Sequence, residues 1–210
     1  MSTKNHALTN ETRLKARMTI TGTEFDDLLK SMAFSVTDFI ESQCSGRRFK
    51  QATYTNEIYD GSIVGQEATQ KKKYLITKHA PIETISSIEY LTGSRTSPSW
   101  VAFTADDYVL VDKNYIYFPS GLPSGVRNIR ITYTAGFLLD LTGDLYDDEV
   151  NTVPFELIDL AERLCVKLFK KRDKEGRSQE TFRESSVTWG AFLSSEDIAI
   201  IQNYKRTFSV

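Results

Sequence analysis

A chain of 210 residues, 40% hydrophobic and 26% charged, is long enough to bury one core and too evenly composed to be fibrous or disordered. Its 26 Lys and Arg against 28 Asp and Glu leave a formal net charge of -2, which argues against a protein whose main task is gripping a phosphate backbone, because that task leaves a basic footprint. The polar opening Met1 to Glu11 has no apolar central region, and no window approaches the ~18 apolar residues of a membrane span. The expectation is a chain without secretory signal or membrane partner, folded in a reducing cytoplasm.

Leu8 to Met18 reads as a short helix capped by Thr9 or Asn10. From Thr23 to Gly46, the residues Phe25, Leu28, Leu29, Met32, Val36, Phe39 and Ile40 recur at helical spacing, predicting a long helix with one apolar face. Thr23 with Asp26 three residues on is the expected N-terminal box, and Gly46 the left-handed stop. Between Ala52 and Thr134 the pattern changes to short runs rich in Tyr, Ile and Val. The expected strands are Thr53 to Tyr59, Lys73 to Ile76, Ile85 to Leu91, Tyr108 to Val111, Tyr115 to Phe118 and Arg127 to Thr134. Asp112-Lys113-Asn114 fits a hairpin turn.

Helical spacing returns at Val153, with Thr152 as cap and Pro154 in the first turn. Leu157, Ile158, Ala161, Leu164, Cys165 and Leu168 form a stripe down to Lys170-Lys171-Arg172, where cations complement the helix dipole. A last helix follows Ser194, boxed by Asp197, with Ile198, Ile201 and Tyr204 turned inward. Cys44 and Cys165 fall on apolar helix faces and read as reduced core thiols. The predicted fold class is α+β: a helical bundle of long N- and C-terminal helices with an inserted antiparallel β-sheet subdomain. The chain divides as one domain into N-terminal helices (1–50), the β insertion (51–136), an acidic loop (137–151) and C-terminal helices with a tail (152–210).

Three phrases carry a resemblance. Asp26-Asp27-Leu28-Leu29 opens a long helix that ends in Ser45-Gly46-Arg47-Arg48-Phe49. Ala80-Pro81-Ile82 leads into Ile85-Ser86-Ser87-Ile88. Ile129-Arg130-Ile131-Thr132-Tyr133-Thr134-Ala135-Gly136-Phe137 is joined to Val153-Pro154-Phe155-Glu156-Leu157. In this order, and continuing through Arg172, Gly176, Ser178 and Val187 to Tyr204-Lys205-Arg206, the chain resembles the head-tail connector (adaptor) family of tailed bacteriophages over Leu8 to Arg206. Ser62 to Lys73 and the acidic loop Asp140 to Thr152 are longer than that pattern.

The resemblance implies a non-enzymatic virion protein at the head-tail junction, assembled in the host cytoplasm. It implies a homo-oligomeric ring, twelve-fold, beneath the portal protein, extending a channel through which genomic DNA passes without sequence-specific binding, and docking a stopper or tail-terminator protein. No cofactor is implied. Another tail-completion or neck protein, or a wall-degrading hydrolase using Glu156, Asp159 or Glu162, are the alternatives. Those acids lie along the polar side of one helix, the ordinary place for solvated charge, rather than across a cleft.

The resemblance also implies a portal-facing C-terminal group of Tyr204, Arg206 and Phe208. Arg47, Arg48, Lys171, Arg172 and Trp189 are candidates for the subunit interface, because basic clusters close several elements and tryptophan is enriched at interface centres. Lys71-Lys72-Lys73 is a further basic cluster. Asp147 and Asp148, in an acidic loop that lacks the Gly and Glu of a calcium-binding loop counted from Asp140, are candidates to face the channel. His6 and His79 are the only histidines, too few for a histidine metal site or triad, and His79 beside Ala80-Pro81 reads as a surface residue.

Overall fold

A computed structural model describes residues 6–63, 71–93, 96–142, 151–172 and 193–205. They divide between two compact units, one drawn from 1–50 and 138–209, the other from 51–137. The first is helical. Its elements are α1 (Glu11–Met18), α2 (Asp26–Gln43), α3 (Phe155–Lys171) and α4 (Ser195–Tyr204). The second holds β1 (Ala52–Tyr59), β2 (Tyr74–Leu75), β3 (Ile82–Leu91), β4 (Trp100–Ala102), β5 (Val109–Val111), β6 (Tyr115–Tyr117) and β7 (Ile129–Ala135).

In the helical unit, the stripe Leu29, Ala33, Val36 and Ile40 of α2 is buried, as is the stripe Leu157, Ile158, Ala161, Leu164 and Cys165 of α3, and the two helices pack together. Asn10 caps α1, its side chain accepting the Arg13 amide at 3.0 Å. The N-terminal segment is tied to α2 through Thr37, whose hydroxyl accepts the Leu8 amide at 3.0 Å and donates to the Ala33 carbonyl at 2.8 Å. Ser194 and Asp197 form a reciprocal capping box on α4, which satisfies two amide donors that a helix start leaves open.

The predicted bundle of long N- and C-terminal helices is overturned. The described helices have 8, 18, 17 and 10 residues, and the β region is two antiparallel sheets, in the orders β1-β7-β3-β4 and β2-β6-β5, instead of one. Apolar periodicity had counted end-turn residues as helix. Thr23 does not cap α2, because its carbonyl accepts the Asp26 amide in a turn at 3.2 Å and Phe25 turns edge-on to Phe169 at 5.3 Å between centroids. Thr152 does not cap α3 either; its hydroxyl accepts the Leu138 amide at 2.9 Å. Pro154 occupies the N-cap position.

The β unit is organised on β7, whose Ile129, Ile131, Tyr133 and Ala135 are all 0% exposed and point to one side by the two-residue period of a strand. β1 pairs with one edge of β7 and β3 with the other. On β1 the register slips between Tyr54 and Glu57, with Asn56 at φ 52° and its amide donating to the Thr132 hydroxyl at 3.1 Å. This bulge inserts a residue, so Tyr54 and Glu57, which strict alternation would set on opposite faces, both turn toward Tyr133. Leu75, Ile82, Ile88, Ile116, Phe118 and Leu122 complete the core of the unit. The three-residue turn at Asp112-Lys113-Asn114 joins β5 to β6, with Asp112 and Lys113 at φ 48° and 54°.

Truncating Ile131 to Ala removes buried atoms from the centre of this core and leaves a cavity. The expected loss is about 2–5 kcal/mol, read as a lower urea midpoint with an unchanged slope. Ile63→Ala, at a side chain 71% exposed, should stay within about 0.5 kcal/mol.

Candidate assembly surfaces

Asp38 and Glu41 stand one turn apart on α2, so their carboxylates share a face. Glu41 is only 3% exposed. One of its oxygens accepts the Phe49 amide at 3.0 Å, and the other accepts Arg48 Nη1 at 2.9 Å. Arg48 also reaches Asp38 at 3.4 Å, and His6 Nε2 lies 2.9 Å from the same Asp38 oxygen and 3.9 Å from Glu41. Burial pushes the Glu41 carboxyl up to about 7, against the lowering effect of the Phe49 amide and Arg48. The ligand atoms of His6, Asp38 and Glu41 fall within 4.8 Å of one another, close enough to hold a metal ion. The Arg48 guanidinium already supplies the cation there.

Arg47, next along the chain, is 8% exposed. It donates to the Tyr204 carbonyl at 3.1 Å and lies 5.3 Å from the centre of the Phe49 ring. Tyr204 meets Phe49 edge-on at 6.1 Å and donates its hydroxyl to the Glu156 carboxylate. Burial, and then Glu156, hold the Tyr204 phenol above its ordinary pKa, so it is a neutral donor. The end of α4 is thereby fastened to the start of α3 and to the segment after α2.

On α3, Glu162 is 5% exposed, contrary to the expectation of solvated charge along this helix. It accepts from Arg13 at 2.7 Å, Arg17 at 2.9 Å and the Thr9 hydroxyl at 3.3 Å, joining α1 and the segment before it to α3. Asp197, expected only as a cap, is 0% exposed. It pairs with Arg163 at 3.0 Å and Lys167 at 2.9 Å. Burial pushes its carboxyl up, yet Lys167 and the Ser194 cap outweigh that and hold it below the usual carboxylate range. Ile198, expected inward, is 40% exposed, because Asp197 and Ile201 take the buried face.

Arg172 stacks on Phe169 at 3.6 Å and lies 4.9 Å from Phe25, donating also to the Phe169 carbonyl at 3.0 Å. Lys171, the last residue of α3, is half-buried. Arg47, Arg48 and Arg172 thus all make contacts within the chain. Trp189, Arg206, Phe208, Asp147 and Asp148 lie outside the described residues. Cys44 and Cys165 are both buried and free, and burial pushes their thiols up to about 11 and about 12.

In the β unit, His79 is 4% exposed where a surface residue was expected. Its ring stacks on Tyr54 at 3.8 Å, and its amide donates to the Tyr133 hydroxyl at 3.4 Å. Glu57 accepts the hydroxyls of both Tyr59 and Tyr133 at 2.5 Å. Burial first, and the Glu57 carboxylate with it, raise both phenols well above their ordinary pKa, which leaves them donors rather than acid-base groups at neutral pH. Sequence reasoning missed this cluster, since the spacing of Tyr54, Glu57 and Tyr59 shows no shared face until the bulge is known.

No protein-family model matches the sequence, and no curated protein matches it. The fold is similar to solved structures. A chain from the neck of an empty GTA particle, computed with C6 symmetry, superposes with a TM-score of 0.54 at 14% identity, over 95% of this chain and 90% of that chain. A chain from the neck of the native GTA particle, computed with C12 symmetry, gives 0.52 at 12% identity, over 95% of this chain and 89% of that chain. At these identities the likeness is one of fold.

Glu41 gives a pH signature. With its folded pKa near 7 and an ordinary value of 4.5, the folded state holds a proton between those values that the unfolded state has released. Stability should fall as pH rises through this window and level off above it. Glu41→Gln should flatten that segment in urea titrations at a series of pH values; an unchanged slope would exclude Glu41 as its source.

Proposed function

We propose that this chain is a structural subunit of the neck of a phage-like particle, a head-tail connector that forms a ring beneath the portal. The observation that carries the reading is the likeness of fold to GTA neck chains over nearly the full length of both proteins. GTA denotes a gene transfer agent, a phage-like particle. The symmetry of those neck structures, six-fold and twelve-fold, favours a ring of identical copies, and the ordered phrases from Asp26 to Arg206 point to the same family. In this reading genomic DNA passes through the ring without sequence-specific contact, and a stopper or tail protein docks on the side away from the portal.

Physical features support a structural role over a catalytic one. Glu156, Asp159 and Glu162, the carboxylates most open to a hydrolytic reading, are engaged by Tyr204, Arg17 and Arg13. Glu162 and Asp197 staple helices from distant parts of the chain, and ion pairs with low exposure fix geometry more than they add stability. A ring subunit needs that fixed geometry, because a small error per contact accumulates around the closure.

Mixing the purified chain with purified portal rings and imaging the product by electron microscopy is the test. A ring of this chain on one end of the portal is expected; a chain that stays monomeric and leaves the portal bare would overturn the proposal. Tyr204, Arg206 and Phe208 are proposed to face the portal. Deleting residues 206–210 should weaken co-purification with the portal at least about tenfold while leaving the thermal midpoint unchanged, since α4 is fastened upstream by Arg47, Glu156 and Asp197.

A further inference from the structure

The small sheet of the β unit carries opposite charge on its two edges. Its order puts β2 and β5 outermost, and each runs antiparallel to β6, hence parallel to the other. The chain enters β2 through Lys71-Lys72-Lys73; it enters β5 through Asp106-Asp107-Tyr108 and leaves it through Asp112. Three lysines therefore mark one edge and three aspartates the other. Lys72 and all three aspartates are exposed, while Lys71 and Lys73 are half-buried.

Both charged segments are held in place. The Lys73 carbonyl accepts the Phe118 amide and the Lys72 carbonyl the Leu122 amide, each at 2.8 Å, and the Lys72 amide donates to the Ser62 hydroxyl at 2.9 Å. On the other edge, Asp107 accepts the Thr104 amide and hydroxyl at 2.7 Å each. Among the described residues no carboxylate lies within ion-pairing distance of the three lysines, whereas Lys113 of the same unit pairs with Glu83 at 2.7 Å.

The face between these edges is aromatic. Tyr74 meets Tyr115 at 5.6 Å and Tyr117 at 5.3 Å, and Tyr74 and Val109 are each 54% exposed. The alternate residues Leu75 and Ile116 turn into the core. Tyrosine is enriched at the centres of protein interfaces, where an apolar ring and a hydroxyl serve together.

We infer that this sheet is a self-association surface, on which the lysine edge of one copy meets the aspartate edge of the next. The inference rests on the ring reading and names the contact that would close it. A head-to-tail contact repeated by rotation needs two different, complementary surfaces on one subunit, and the two edges of one sheet supply them. Like edges would repel, which favours one direction of assembly. A nucleic acid laid along the same sheet would meet the aspartates as well as the lysines.

The test is a charge swap. Lys72→Glu with Lys73→Glu makes both edges acidic; Asp106→Lys with Asp112→Lys makes both basic, and spares the Asp107 cap. Assembly is read by mass photometry, with and without portal rings, beside the unaltered chain. Each doubly substituted chain should lose self-association at least about tenfold, while an equimolar mixture of the two, or one chain carrying all four substitutions, should recover it. Recovery in the mixture also shows that both variants fold. If the unaltered chain assembles and the swapped chains assemble equally well, the edge contact is wrong and the ring stands. Losses that mixing does not rescue overturn it in favour of a different partner. An unaltered chain that never assembles, even on the portal, removes both readings.

Discussion

The helical unit is held in register by carboxylates that have been taken out of water. Glu41, Glu162 and Asp197 are each 5% exposed or less, and a buried carboxylate is costly unless it is matched by cations and amide donors. Each of the three is matched by cations or amide donors: Glu41 by Arg48 and the Phe49 amide, Glu162 by the distant Arg13 and Arg17, Asp197 by Arg163 and Lys167 of α3 and by its own cap. Helices of 8 to 18 residues do not need to be long to be fixed when their ends are fastened in this way.

That arrangement explains what could be read from the sequence and what could not. Among the described residues, the sequence pattern located all four α-helices and six of the seven strands, because the apolar stripes of α2 and α3 and the alternation of β7 are local signals. Helix lengths were misjudged where a turn residue continued the apolar pattern, as Phe25 does by packing on Phe169. The small sheet was merged with the large one because strands of two or three residues carry no alternation that tells which sheet they join, and β4, just after Ser97-Pro98-Ser99, was missed. The Ser194 box was legible, since both partners are close in sequence and the ion pairs that Asp197 also makes with α3 leave the box intact.

Charged residues were the least legible. A solvated face and a buried ion pair look alike until the partner is known, and the partners of Glu162 lie about 150 residues away. Histidine posed the same difficulty: His79 sits beside a proline in the chain, yet it is enclosed by Tyr54 and Tyr133 because a single-residue bulge redirects β1. The basic residues Arg47, Arg48 and Arg172 were singled out as places where one copy could meet another, and each also has work inside its own chain. The lysines before β2, with no such engagement among the described residues, therefore stand out as charge left over for the exterior.

Asp197 joins two roles that are usually separate. The carboxylate that starts α4 by accepting the Ser194 amide is also the one that reaches Lys167 and Arg163 on α3. Detached from α3, the last helix would lose those counter-charges and leave its own initiating group uncompensated, so winding and landing become a single event. For a segment of 10 residues, too short to persist alone in water, structure and address arrive together.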